Sequence, residues 1–341
     1  MEPNCVDCVT NQWELASLIY HDNITALDIF TDHGVLPTDV NCGKCGKPAK
    51  LVCGPDDRLM WRCYGKYRPS PKRKPVKCNF KSSHFKGTFL HNAKLEEWQV
   101  LGFIAVWLDK RFKHSYATTN LNISYNASVD WRSMCSEVTQ FWLNNQDQIG
   151  GNNIVVEIDE TLIVRRKHGV GRILQQVWLF GGIERVTKKW FIVPLLGDIN
   201  TNVSEKRSKD ILIPYIVKYI RPGSVVYSDQ WKAYQSLIDY GYKHGTVNHK
   251  VNFVHPSDPE CHTQNIERMW RDVKEYLKRP GMRRAYLRQY LSRYLFVKTY
   301  GEGSFHQFLI QASKLYPPQG DIVPNIIKAP EDESDDDSED E

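Results

Sequence analysis

Two short apolar runs in the part of this chain after residue 150 each close on an aspartate, Val155-Val156-Glu157-Ile158-Asp159 and Val225-Val226-Tyr227-Ser228-Asp229. Runs this short and this apolar read as strands buried in a sheet. A charged residue at the end of such a strand stands where open α/β sheets place their sites. Aspartate there also serves as a turn or helix-capping residue, so neither one identifies a site by itself. The rest of this part fits a sheet: strands are expected over 154–158, 162–166, 177–183, 190–196 and 225–228, and helices over 206–220, 231–240, 263–278 and 284–299. In the first of those helices Ile211, Leu212, Tyr215, Ile216 and Tyr219 point inward, and Pro214 can kink the axis. Hairpin-joined strands followed by alternating strand and helix predict an α/β class, a mixed sheet with flanking helices.

A third acidic residue lies on the 263–278 helix. Ile266, Met269, Trp270, Val273 and Leu277 form its apolar stripe, and Glu267 falls at the stripe's edge, followed by Arg271, Lys274 and Lys278 at helical spacing. An exposed helix with a Glu267–Arg271 pair one turn apart is the plainer account of the same residues. Two aspartates and a glutamate beside a basic row also suit phosphoryl transfer. Hard carboxylate oxygens bind Mg²⁺ or Mn²⁺, and two such ions roughly 3.5–4 Å apart activate an attacking oxygen and stabilise a leaving one. Without a cation, three carboxylates in one place repel each other.

The part before it is different in kind. Of nine cysteines, Cys5, Cys8, Cys42, Cys45, Cys53 and Cys63 precede residue 64 and Cys78 follows. Clustered cysteines in a reducing compartment point to metal rather than disulfides. Cys42-Gly43-Lys44-Cys45 has Zn²⁺-knuckle spacing, and Cys63 and Cys78 can complete a four-thiolate site, with Cys53 as the substitute for Cys78. The 14 residues between Cys63 and Cys78 read as an inserted basic loop. Free cysteines in a loop-rich region are the alternative. Cys5-x-x-Cys8 has no evident partner pair, and Cys135 and Cys261 read as isolated buried thiols. Helices are expected within 13–34, with Trp13, Leu15, Leu18 and Ile19 and then Ile24, Leu27 and Phe30 apolar, and Gly34 as a stop. Another is expected over 94–112, with Leu95, Trp98, Leu101, Ile104, Ala105 and Leu108 on one stripe. Two more, near 115–121 and 127–144, flank Asn122-Ile123-Ser124 and read either as a helix-turn-helix or as an ordinary connector. The stretch 144–153, with Gly150-Gly151, is the expected domain boundary.

The blocks Glu157-Ile158-Asp159-Glu160-Thr161, Tyr227-Ser228-Asp229 and His262-Thr263-Gln264-Asn265-Ile266-Glu267-Arg268-Met269-Trp270 through Lys274 resemble the three signature blocks of the Merlin transposases and their relatives among bacterial insertion sequences. The 37 residues between Asp229 and Glu267 suit that family's spacing, and Asn248-His249 and Asn252-Phe253-Val254 are similar to it as well. The resemblance covers about residues 40–315. It implies an RNase H-like fold in which Asp159, Asp229 and Glu267 bind Mg²⁺. It also implies cut-and-paste DNA transposition at terminal inverted repeats: water attacks at the transposon end, then the freed 3′-hydroxyl attacks target DNA. An N-terminal zinc ribbon is implied too, with Trp61-Arg62-Cys63 and Lys86-Gly87-Thr88-Phe89 in its second half. The organisation expected on this basis is a helical segment over 1–39, a zinc ribbon over 40–90, a helical DNA-binding region over 91–150, a catalytic domain over 151–318 and a disordered acidic tail over 319–341. A transposase-derived host DNA-binding protein that no longer transposes is the alternative function, which three intact acidic positions disfavour.

Charge agrees with a polyanionic partner. Residues 331–341 carry nine acidic residues and no basic one, which leaves 45 basic against 31 acidic residues in the body, a net +14. Lys72, Arg73 and Lys74, in Pro71-Lys72-Arg73-Lys74-Pro75-Val76-Lys77, fit a nuclear-import signal or a phosphate contact. Arg165, Arg166 and Lys167, close behind Asp159, fit phosphate contact, as do Arg271 and Lys274. Ser334 and Ser338 in the tail are candidate phosphorylation sites. No signal segment opens the chain and the longest apolar run, nine residues from Val100, is too short to span a bilayer. An intracellular protein is expected, nuclear in a eukaryote and cytoplasmic otherwise, with no membrane partner. Pairing of two DNA ends implies a homo-oligomer.

Overall fold

A computed structural model describes residues 14–17, 25–54, 58–69, 73–109, 112–163, 177–197, 207–229, 232–247, 254–255, 258–277 and 284–318. Cys5, Cys8, Lys72, Arg165, Arg166, Lys167, Asn248-His249 and the acidic tail lie outside them. The chain divides into two compact units, one holding residues through Ser128 together with those from Phe305 on, the other Val129–Ser304.

The first unit opens with helix α1 (Ala26–Asp32), started by Thr25, whose side chain accepts from the Asp28 N–H while Asp28 returns a bond to the Thr25 N–H. Strands β1 (Lys50–Cys53), β2 (Leu59–Arg62) and β5 (Lys81–Ser83) form a small antiparallel sheet in the order β1-β2-β5, and β3 (Lys66–Tyr67) pairs with β4 (Val76–Lys77) as a separate ribbon. Three helices follow, α2 (Glu97–Leu108), α3 (His114–Leu121) and α4 (Tyr125–Asn144). α2 is buried on most sides through Val100, Leu101, Phe103, Ile104, Val106, Trp107 and Leu108, so the single stripe expected for it is too narrow, and Trp98, assigned inward, is 46% exposed. Asn122 ends α3 in the left-handed conformation (φ 50°, ψ 48°), Ile123 is buried in the turn, and His114 Nδ1 lies 2.8 Å from Ser128 Oγ across it. Gly102 lets α3 come close: a Cβ there would stand 2.7 Å from Leu121 Cδ2. A last helix, Ser304–Leu315, packs Phe308 edge-on against Phe89 and Trp107.

The second unit is built on a five-stranded mixed sheet in the order β10-β9-β6-β7-β8, from β6 (Val155–Leu162), β7 (Trp178–Glu184), β8 (Trp190–Leu195), β9 (Val225–Asp229) and β10 (Lys243–Val247). β6, β7 and β8 run antiparallel in sequence, while β9 and β10 add in parallel on the other side. One face is covered by α5 (Lys209–Tyr219) and a 3-10 helix, Lys232–Tyr240: Leu212, Ile213, Ile216, Tyr234 and Leu237 bury against Val156, Ile158, Phe180 and Val226. α6 (Gln264–Leu277) and α7 (Leu287–Tyr300) pack against β6, β7 and β8. Among the described residues, no helix is long and apolar enough to cross a membrane.

Two expectations are refined. The strand expected to stop at Ile158 continues to Leu162, because β7 pairs with it antiparallel as far as Leu162↔Trp178. Asp159 is therefore inside a strand, although the parallel pairing with β9 ends at Glu157↔Tyr227. The helix expected over 231–240 is a 3-10 helix over its described residues, Lys232–Tyr240. The two compact units divide within α4 and after Ser304. The reason is packing. The C-terminal half of α4 belongs with α7, through Trp142 against Phe296 and a Thr139–Ser292 hydroxyl pair at 3.0 Å, whereas the residues after Ser304 close the core of the first unit.

Candidate active site

The pairing register carries the first two acids to one place. Parallel pairs run from Val155↔Val225 to Glu157↔Tyr227, and two residues further along each strand bring Asp159 beside Asp229. Adjacent strands are roughly 4.8 Å apart, and residues at like positions share a face. Both aspartates thus lie on the side of the sheet opposite Val156, Ile158 and Val226, which pack under α5. α6 lies against β6 and β7 and brings Glu267 in its first turn.

Asp159 is held by Trp270, for which Gly181 leaves room. The Trp270 indole N–H donates to its Oδ2 at 3.0 Å. Opposite Asp159 on β7 stands Gly181. A Cβ at Gly181 would come within 2.8 Å of Trp270 Cη2 and of the Phe191 carbonyl oxygen, so the missing side chain is the space the indole occupies. Gly181→Ala is expected to cost about 1–3 kcal/mol through overpacking, read by urea unfolding, and to slow any chemistry that uses Asp159. Wild-type stability in that variant would contradict this account of Trp270.

The electrostatics are unfavourable without a cation. Burial, reinforced by the charges of Asp229 and Glu267, pushes the Asp159 carboxyl up to about 7 from 3.8. On the other face of β6, burial and the charges of Asp159 and Asp229 push Glu160 up to about 8, against the pull of Arg207, whose Nη1 lies 3.6 Å away. The Tyr234 hydroxyl donates to Glu160, and the Arg207 guanidinium stacks 3.8 Å from the Trp178 ring centre. A donor set of hard carboxylate oxygens that resists being charged fits a divalent oxygen-seeking cation such as Mg²⁺ or Mn²⁺. Glu267, Arg271 and Lys274 are exposed along one side of α6 while Ile266, Met269, Trp270, Val273 and Leu277 are buried. Arg73 and Lys74 are exposed in the first unit.

The sulfur site forms in the first unit. The Sγ atoms of Cys42, Cys45, Cys63 and Cys78 lie within 4.8 Å of one another, and among the described residues they are the one such group of potential metal ligands; the three carboxylates stand further apart. Cys53, the substitute fourth ligand, is exposed outside the cluster. The Lys44 N–H donates to Cys42 Sγ and the Gly65 N–H to Cys63 Sγ, each at 3.4 Å. Four clustered sulfurs, with backbone N–H bonds to Cys42 and Cys63, fit Zn²⁺.

The site contains two residues whose parts in it were not read from sequence. Trp270 reads as core, and its position one helical turn after Glu267 was the available signal for more. Glu157, in the same strand as Asp159, is wholly buried and bonded to α6. Residues 149–299 match the model of the ISXO2-like transposase domain. No curated protein matches the chain. The match supports an insertion-sequence transposase family of the DDE type, and a mixed sheet with helices on it fits such a domain.

Proposed function

From the ISXO2-like transposase domain at residues 149–299, we propose that this chain is a cut-and-paste DNA transposase of the Merlin kind, with an RNase H-like catalytic domain and a zinc ribbon. The observation that carries the reading is the register that sets Asp159 beside Asp229, with Glu267 brought to the same sheet by α6. These three side chains would hold Mg²⁺ or Mn²⁺, and such ions, when bound, lower the pKa of an attacking oxygen and stabilise a leaving one.

The protein's own residues supply the rest. Trp270 fixes the orientation of Asp159 through its N–H. Arg271 and Lys274, exposed on the side of α6 that bears Glu267, bind the phosphates flanking the scissile bond, with Arg165, Arg166 and Lys167 as further contacts. In cleavage a P–O bond forms to water and the bond to the 3′ oxygen breaks. In strand transfer the freed 3′-hydroxyl takes the place of water at a target phosphate, and a 3′ oxygen of the target leaves. The zinc ribbon and the turn between α3 and α4 recognise the terminal repeats, with Lys72, Arg73 and Lys74 on phosphate or in nuclear import. Two such chains pair the two DNA ends, in the nucleus if the source is a eukaryote.

The reading is tested by nicking of DNA that carries candidate terminal repeats, with Mg²⁺ supplied or withheld. Wild type should nick only with the cation and Asp229→Ala should not nick at all. Retained nicking in Asp229→Ala would remove Asp229 from the centre. Tight DNA binding with no nicking in either protein would replace the transposase reading with a binding protein.

A further inference from the structure

Glu157 stands two residues before Asp159 on the same face of β6, and its side chain is completely buried. Its Oε2 accepts from the backbone N–H groups of Asn265 and Ile266 at 2.9 and 3.1 Å. Its Oε1 accepts from Asn265 Nδ2 and Arg185 Nε, both at 2.7 Å. Asn265 and Ile266 are in the first turn of α6, where N–H groups have no partner within the helix and the helix dipole favours negative charge. Glu157 therefore caps α6 from another element. Arg185 completes a clasp: its Nη2 donates to the His262 carbonyl at 2.8 Å, and its guanidinium lies 5.0 Å from the Tyr227 ring centre.

The clasp does something the apolar stripe cannot. Ile266, Met269, Trp270, Val273 and Leu277 fix which side of α6 faces the sheet, but apolar contacts tolerate sliding along the axis. Bonds to two consecutive backbone N–H groups do not. A slip of one residue would move Glu267 by about 1.5 Å and swing it through about 100°. Glu267 follows Ile266 directly, and Asp159 is carried by the strand that bears Glu157. One carboxylate thus sets both sides of the spacing. A buried ion pair is also weak as a stabiliser, because desolvation offsets its attraction; its geometric directionality is what an apolar pair would lack.

We propose that Glu157 is the positioning residue of the carboxylate centre: by capping α6 it holds Glu267 at the spacing from Asp159 that divalent-cation binding requires. This rests on the three-carboxylate reading of the site. Glu157→Gln keeps the volume but turns one acceptor into an N–H₂ group that faces donors on every side. The protein should stay folded by circular dichroism with a lowered melting temperature. Its Mn²⁺ affinity, measured by calorimetry on the protein without DNA, should fall about tenfold or more, as for other residues that orient metal ligands. The Mn²⁺ concentration that half-saturates nicking should rise by the same factor, while DNA binding without cation stays unchanged. Ile213→Val, in the core on the far face of the sheet, controls for lowered stability and should leave Mn²⁺ affinity at the wild-type value. Should Glu157→Gln not fold, Asn265→Ala removes one bond of the clasp and should weaken Mn²⁺ binding measurably, by less than Glu157→Gln would. Mn²⁺ affinity within experimental error of wild type in the folded variant, with Asp229→Ala binding none, would overturn the positioning role alone. Wild-type affinity retained in Asp229→Ala would instead overturn the three-carboxylate reading on which it rests.

Discussion

Asp159→Asn is expected to cut strand cleavage by about a hundredfold to a thousandfold, and at the same time to stabilise the cation-free protein. Loss of a group that stabilises charge in a transition state costs on that order. The gain in stability comes from the same environment. Burial holds the Asp159 carboxyl near 7 rather than 3.8, so the folded state disfavours the charge that the unfolded chain accepts freely. An acid whose folded pKa is raised contributes stability that is fully present below its unfolded pKa and is lost as pH rises through its folded pKa. The cation-free protein should therefore lose stability between about pH 4 and pH 8, by about 2–4 kcal/mol from this group. Asp159→Asn should remove most of that loss, and Glu160, held near 8, should retain a part of it. Melting curves at pH 5 and pH 8 measure it, and Mn²⁺ should raise the wild-type melting temperature more at pH 8 than at pH 5. An Asp159→Asn variant less stable than wild type at pH 8 would mean that the carboxylate has a structural role.

Zinc removal should have an effect as large on the first unit. Among the described residues of the segment 40–83 the buried side chains are few: Ala49 and Trp61 beside Cys42, Cys63 and Cys78. Three short strands with so small a core cannot offset their conformational entropy. Structural Zn²⁺ contributes about 10–16 kcal/mol of apparent binding free energy to modules of this kind. Chelation, or Cys63→Ser, should unfold this segment selectively, seen as rapid amide hydrogen exchange through β1, β2 and β5 with protection retained in β6–β9. Protection of β2 that survives chelation would show that the sulfur cluster does not hold the module together.

Much of the candidate site was legible because Asp159 closes the apolar part of one strand, Asp229 ends another, and Glu267 lies on a helix with a strong apolar stripe. Val155–Asp159 and Val225–Asp229 could be read as strands from their apolar residues, and Glu267 as a stripe-edge position from helical spacing. The continuation of β6 through Glu160 and Leu162 could not, since Asp159-Glu160-Thr161 breaks the apolar run and only pairing with β7 keeps it extended. The part played by Glu157 is hidden for a related reason. A buried acid in a strand has no local partner, and its partners are Arg185 and the start of α6, far along the chain. The fourth sulfur ligand was ambiguous because the spacing between Cys63 and Cys78 is long; the β3–β4 ribbon spans that interval and returns Cys78 to the cluster. The Ser304–Leu315 helix was missed although Phe305, Phe308, Leu309 and Ala312 recur at helical spacing.

Anomalous diffraction from crystals soaked in Mn²⁺ tests most directly whether Asp159, Asp229 and Glu267 together hold divalent cations. Anomalous peaks should lie within coordination distance of carboxylate oxygens from Asp159 and Asp229, with Glu267 completing the set, and should vanish in Asp229→Ala. Mn²⁺ bound elsewhere, or no peak at these carboxylates at saturating concentration, would contradict it.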